Sequence, residues 1–271
     1  MADKMNNLEP KKWLQYSFSI WKDIRKNKEE NKLKHPAMFP THLTSRIIEI
    51  FTKDDGEVIL DPFMGIGSTI ISSRELNRKG IGFELSKEYT KIAKERLNEI
   101  QKSLDDLDRK FITPEIYNED SRNISKFIKK DSVDLCITSP PYWDILNQKR
   151  TADKRDIKGY SKSKKDLGNI EDYEGFLEEI KKVFSNVYEV LKPNKRCVVV
   201  VMDIRKKNKF FPLHIDLTKK MEEIGFELED FIIWDRQHEY NNCRTLGYPW
   251  VFRINKLHEF ICIYIKKTKK E

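Results

Sequence analysis

Cysteine is scarce in this chain and never closely spaced. Cys136, Cys197, Cys243 and Cys262 form no CxxC motif, and three of them sit inside apolar runs. That argues against a disulfide scaffold or a thiolate metal cluster and fits core residues of a reducing compartment. No metal site is expected. No apolar run approaches the length of a membrane span, and the segment Met1 to Lys4 has no apolar signal core. The expectation is a cytoplasmic protein with no membrane contact. Internal repeats and long low-complexity tracts are also missing. There is no GK[ST] sequence, so a phosphate-gripping P-loop is not supported.

What is present is length and positive charge. The 271 residues suit one α/β domain with small insertions, and 52 Lys and Arg against 44 Asp and Glu give a formal net charge of +8. A basic balance favours a polyanionic partner without proving one. Strand signals fall at 57–61, 80–84, 115–118, 133–138, 196–202, 228–234 and 259–265. Helix signals fall at 43–51, 68–77, 87–103, 171–191 and 214–224. Alternation of this kind predicts a doubly wound α/β sheet of about seven strands. Residues 1–34 read as an extended or partly helical arm packed on a single domain, 35–271.

Two motifs carry chemistry. Val58 to Thr69 reads as strand, glycine loop and helix start, with Gly65 and Gly67 permitting tight turns and Ser68 or Thr69 able to cap the helix. The third glycine of a dinucleotide fingerprint is missing, since position 70 is Ile70. Glu84 closes the next strand, roughly 20 residues on, where a carboxylate can hold ribose hydroxyls. The second motif is Ser139-Pro140-Pro141-Tyr142-Trp143, at the end of the apolar run Val133 to Ile137. Prolines here fix φ and remove N–H groups, so nearby carbonyls are held as acceptors. Ser139 adds a hydroxyl, and Tyr142 and Trp143 add flat faces. Such a lip suits a planar group bearing an amine. Asp61, Glu84, Asp120 and Ser139 all fall at the carboxyl ends of predicted strands, where a doubly wound sheet opens its crevice.

Asp61-Pro62-Phe63-Met64-Gly65-Ile66-Gly67-Ser68-Thr69 and Ser139-Pro140-Pro141-Tyr142 together resemble the cofactor and catalytic motifs of the DNA amino-methyltransferases. These enzymes make N4-methylcytosine or N6-methyladenine from S-adenosylmethionine. His35-Pro36-Ala37-Met38-Phe39-Pro40 resembles the family's segment beside the methionine part of the cofactor, and the likeness extends from about Trp13 to Lys266. The serine form of the catalytic tetrapeptide is most similar to the cytosine-N4 members. The cofactor motif precedes the catalytic one, which resembles a circular permutation of the commoner layout. The resemblance implies a Rossmann-like S-adenosylmethionine methyltransferase fold and double-stranded DNA as substrate. It also implies a modification enzyme working beside a restriction endonuclease. Asp61 would meet the cofactor's ammonium, Phe63 to Gly67 would run along methionine and ribose, and Asp120 with Ser121 would meet the adenine. Asp120 reads equally as a helix cap, and His35 as a buried structural histidine. No Pro-Cys dipeptide exists, so a cysteine nucleophile for C5 methylation has no candidate.

No long target-recognition domain follows. Recognition is expected from the basic stretch 144–168, with Lys149, Arg150 and Arg155 on phosphates, and from the polar, aromatic stretch 235–255, with Arg236 and Arg244. Trp143 is counted with the DNA contacts. The first stretch reads otherwise as a solvated, mobile loop, and the second as an irregular hairpin before the last strand. Adenine N6 in DNA and guanine N2 in RNA remain alternative targets, and a non-catalytic binding module is the alternative of another class.

Overall fold

Apolar alternation along the strands builds the molecule. In Val133–Thr138, Leu135 and Ile137 point to one face and Cys136 to the other; in the partner strand Val198 and Val200 oppose Cys197, Val199 and Val201. Both sets are buried, so helices cover both faces. In a computed structural model, residues 4–33, 38–105, 111–145, 163, 165–206, 208–239 and 245–268 are described.

Along the chain come α1 (Pro10–Tyr16), β1 (Ile20–Trp21), α2 (Lys28–Lys32), α3 (Thr41–Phe51), β2 (Val58–Asp61), α4 (Ser68–Glu75) and β3 (Lys79–Phe83). Then follow α5 (Lys87–Asp105), β4 (Glu115–Tyr117), β5 (Val133–Thr138), α6 (Tyr173–Val190) and β6 (Leu191–Val201). The chain continues through β7 (Ile204–Lys206), β8 (Lys209–Phe211), α7 (Leu213–Ile224), β9 (Glu227–Asp235) and β10 (His258–Ile265). The large sheet has the order β1-β9-β10-β6-β5-β2-β3-β4, and β7 and β8 form a separate hairpin. Among the described residues of the large sheet, only β10 runs against its neighbours. From β2 the chain winds outward through β3 and β4, then returns to β5 on the other side. That reversal is the switch point where a doubly wound sheet opens a crevice.

All seven expected strands form. The sheet has eight because the N-terminal arm supplies another: Ile20 and Trp21 pair in parallel with Ile233 and Trp234. Trp21 and Ile24 are fully buried in the same cluster as Leu43, Ile47 and Trp234. The residue opening α4 also differs from expectation. Its N-cap is Gly67 at φ 88°, and no side chain caps it. Ser68 and Thr69 lie inside the helix, because the left-handed turn that ends the glycine loop needs glycine one position earlier. Pro193 lies within β6, and α6 has already ended at Val190.

Candidate functional site

Beyond the carboxyl ends of β2, β3 and β5 lies a crevice with an empty volume of about 900 Å³, part of it open to solvent. Phe63, Met64, Gly65 and Ser68 form one wall, Glu84 and Tyr89 another, and Ser139 and Pro141 its rim. Asp120 and Ser121 line it from the end of β4, and Lys165 to Leu167 close it from the far side. The sequence thus brings both motifs to one cavity. Tyr89 and Asp166 were missed; only their place after Glu84 and inside a basic stretch hinted at them.

The glycine loop is held from two sides. Glu84 accepts from the amides of Gly65 (2.9 Å) and Ser86 (2.7 Å), and burial pushes its carboxyl up to about 7 despite those bonds. Below the loop, Asp61 is fully buried. It accepts from Thr69 Oγ1 (2.6 Å), Thr138 Oγ1 (2.7 Å) and the Phe63 amide (3.0 Å), and burial raises it to about 6. Asp61 does not line the crevice, so the expectation that it meets a ligand's ammonium is corrected. Its carboxylate ties the glycine loop to the strand that ends in the Ser-Pro-Pro-Tyr lip. Thr69 shares that role. Gly67 does not line the crevice either: a Cβ there would approach Ala93 Cβ at 3.1 Å. The residue whose missing side chain shapes the loop is Gly82, where a Cβ would lie 2.3 Å from Met64 Sδ. Asp120 caps the turn after β4 by accepting from the Arg122 amide (3.0 Å) and is forked by the Arg122 guanidinium at 2.9 and 2.6 Å. Burial would raise its carboxyl, but Arg122 holds it below the usual range. Capping and crevice-lining therefore coexist in Asp120. Ser121 donates to the Pro62 carbonyl.

At the rim a chain of hydrogen bonds runs back from Ser139. Its Oγ lies 3.0 Å from Tyr142 Oη, which donates to Glu259 Oε2 at 2.9 Å, and Glu259 is ion-paired with Arg236. Tyr142 has one proton. The charged carboxylate is its better acceptor than the Val200 carbonyl at 3.4 Å. Ser139 must then donate to Tyr142, which leaves the serine lone pairs facing the crevice. Burial, with the nearby Glu259 charge, lifts the Tyr142 hydroxyl well above its ordinary pKa, so it stays a donor. Glu259 was missed because antiparallel β10 brings it here from 117 residues away.

Sequence comparison agrees with this geometry. The profile of the DNA methylase family of N6 and N4 methyltransferases matches residues 2–95 and 133–271. The chain belongs to that family. Type II methyltransferase M2.LlaDCHI of Lactococcus lactis subsp. cremoris is 44% identical over 80 residues, 29% of this chain and 29% of that protein. Type II methyltransferase M.HpaI of Haemophilus parainfluenzae is 37% identical over 81 residues, 30% of this chain and 26% of that protein. These matches span under a third of each relative's length. TrmN from Thermus thermophilus shares the fold, with a TM-score of 0.54 and 13% identity, over 85% of this chain and 50% of its own.

The cofactor of this DNA methylase family member is S-adenosylmethionine. The crevice fits it. Ser68 Oγ is buried at the N-terminus of α4 with no hydrogen-bond partner among the described residues, and it lines the cavity. A ligand carboxylate at that helix end would satisfy it.

Two expected DNA contacts are corrected. Trp143 is 5% exposed; its indole N–H donates to the Ile170 carbonyl at 2.8 Å, and its ring packs on Tyr173 and Phe211. Apolar burial wins over exposure for that ring. Arg236 is spent on Glu259 and Glu239 and lies over Trp234, so it braces the hydrogen-bond chain behind Ser139 and is not a free phosphate contact. His35, Pro36, Lys149, Arg150, Arg155 and Arg244 lie outside the described residues.

Proposed function

We propose that this DNA methylase family member transfers a methyl group from S-adenosylmethionine to N4 of a cytosine turned out of double-stranded DNA. Its role would be that of a modification enzyme beside a restriction endonuclease. The observation that carries the reading is the Ser139 hydroxyl at the crevice rim, its proton committed to Tyr142 and its lone pairs open.

Bound S-adenosylmethionine supplies an already electrophilic methyl. Phe63, Gly65, Ser68, Glu84, Asp120 and Ser121 would hold it, with Glu84 on the ribose hydroxyls. A cytosine amine is a poor nucleophile because its lone pair is conjugated with the ring. Ser139 Oγ and the Pro140 carbonyl accept its two N–H bonds and turn that lone pair toward the crevice. Pro141 and the Tyr142 ring bound the base. The amine becomes acidic as the new N–C bond forms, so Ser139 would take its proton only while passing its own to Tyr142, whose proton goes to the Glu259 carboxylate. Alignment of the two reactants then carries most of the rate. A base inside a duplex cannot reach this lip and must be extruded.

Digesting DNA to nucleosides after reaction with methyl-labelled cofactor tests the reading. Label is expected in N4-methylcytosine. Label in N6-methyladenine, or in RNA alone, would overturn the choice of base, and no transfer to any nucleic acid would overturn the activity.

A further inference from the structure

Next to the catalytic lip stands a surface that the methyl transfer does not use. It consists of hairpin β7–β8 and the turn before β10, residues 245–257. Both project beyond the carboxyl ends of β6 and β9, since Phe260 pairs with Val201 and His258 with Asp235. The hairpin is tied to the lip itself: Lys206 pairs with Asp144 and lies 3.9 Å over the Trp143 ring, which packs on Phe211.

The turn is firmly built. The amides of Trp250 and Val251 donate to the Gly247 carbonyl at 2.9 and 2.7 Å. Gly247 has φ 78°, and a Cβ there would lie 2.2 Å from the Val251 carbonyl oxygen. Arg253 Nη2 donates to Asn208 Oδ1 at 2.6 Å and fastens the turn to the hairpin. Yet this rigid element shows its largest apolar side chains to solvent: Tyr248 is 78%, Trp250 89% and Phe252 94% exposed. Rings so displayed on a fixed backbone await a partner. The surrounding charge says which. Neither 204–211 nor 245–257 contains an Asp or Glu, while Arg205 and Lys256 lie over the exposed Phe210 ring and Lys209 lies over Phe211. Cations interleaved with flat rings, without acids, match phosphates and bases.

We propose that hairpin β7–β8 and turn 245–257 dock duplex DNA, with Trp250 and Phe252 entering the base stack where the extruded base has left it. The cations hold the flanking phosphates. This rests on the DNA-methyltransferase reading and deepens it by naming the surface that receives the duplex.

Two labelled duplexes of one sequence, one carrying a single abasic site, test it by fluorescence anisotropy without knowledge of the recognition sequence. The intact chain should favour the abasic duplex, whose gap is ready-made. Trp250→Ala/Phe252→Ala should lose on the order of 10-fold affinity for the abasic duplex and little for the other. Arg205→Gln/Lys209→Gln/Lys256→Gln should weaken binding to both and flatten the slope of log affinity against log salt by about 3. All five side chains project from the surface, so thermal unfolding should not move. Wild-type affinity in both variants would overturn the proposal. So would a dimer by light scattering that Trp250→Ala/Phe252→Ala splits without changing DNA affinity, since the surface would then join two copies. Labelled methyl transfer to genomic DNA separates the two readings. If wild type transfers methyl and both variants keep its kcat and KM, the docking surface falls alone. If the affinity effects appear without any transfer, the surface stands and the methyltransferase reading falls.

Discussion

In the proposed reaction Glu259 would act at a distance from the chemistry, through Tyr142. Glu259→Gln keeps its shape but can present an amide to Tyr142, which frees that hydroxyl to donate to Ser139 instead. The serine lone pairs would then be spent. Methyl transfer should fall on the order of 10- to 100-fold in kcat, the size expected when a hydrogen bond to a charged group is lost. Calorimetric affinity for S-adenosylmethionine should be unchanged, and equal loss in both would refute the relay. Glu84 offers a second test through pH. In the folded apo chain its carboxyl holds a proton up to about 7, whereas an unperturbed glutamate loses it near 4.5. Asp61 does likewise, up to about 6 from 3.8. The folded state therefore binds more protons in that window, and stability falls as pH rises from roughly 4 to 7. Part of the Glu84 side chain faces the crevice, so solvent limits its share to on the order of 1–2 kcal/mol. Glu84→Gln should flatten the pH dependence of the apo melting temperature across that window. An unchanged slope would show that burial does not perturb this carboxyl. Sequence pointed to Ser139 and Glu84 because each closes a strand. It could not point to Glu259, whose partner exists only once β10 is inserted beside β6, nor to the burial of Trp143, since a loop tryptophan looks alike whether buried or exposed.

At the scale of elements, the crevice depends on close approaches that only missing side chains allow. β3 passes directly under Met64, and the space there is filled. Gly82→Ala would displace the thioether end of the Met64 side chain, which lines the crevice. The expected cost is about 1–3 kcal/mol of stability, as for other overpacked cores, together with weakened S-adenosylmethionine binding. Gly82→Ala/Met64→Ala should recover much of the stability in urea unfolding; if it does not, the collision is not the cause. The central strands were readable as apolar runs because parallel strands buried on both faces carry few other signals. Their helices followed from alternation and spacing. The start of α4 at Ser68 was legible, but its cap was not: Ser and Thr are the usual caps, and that rule yielded to a left-handed turn made by Gly67.

Across the whole molecule, the N-terminal arm is part of the sheet. Its two-residue strand pairs with β9, and Arg46 of α3 lies over the rings of Tyr16 and Trp21 while bonding Asp23. Glu30, buried at the end of the arm, caps α2 through the Asn27 amide (2.9 Å) and accepts from the Thr41 amide (2.7 Å) that opens α3. No run of the arm's sequence announces a strand, because two residues have no periodicity and their pairing is set by a partner more than 200 positions away. The aromatic residues gave the only hint, and they gave packing rather than pairing. An arm merely resting on a finished domain could be lost at little expense. An arm that completes the edge of the sheet and one of the hydrophobic clusters could not. Trp21→Ala should therefore lower global stability by about 3–5 kcal/mol, the range for emptying a large core site. Denaturant unfolding should remain one transition, with fluorescence and circular dichroism moving together. Amide exchange gives the sharper reading. Protection should fall in β9 and β10, on the far side of the sheet from the glycine loop, as much as in the arm itself. Loss of protection confined to residues 4–33 would mean that the arm is an appendage after all.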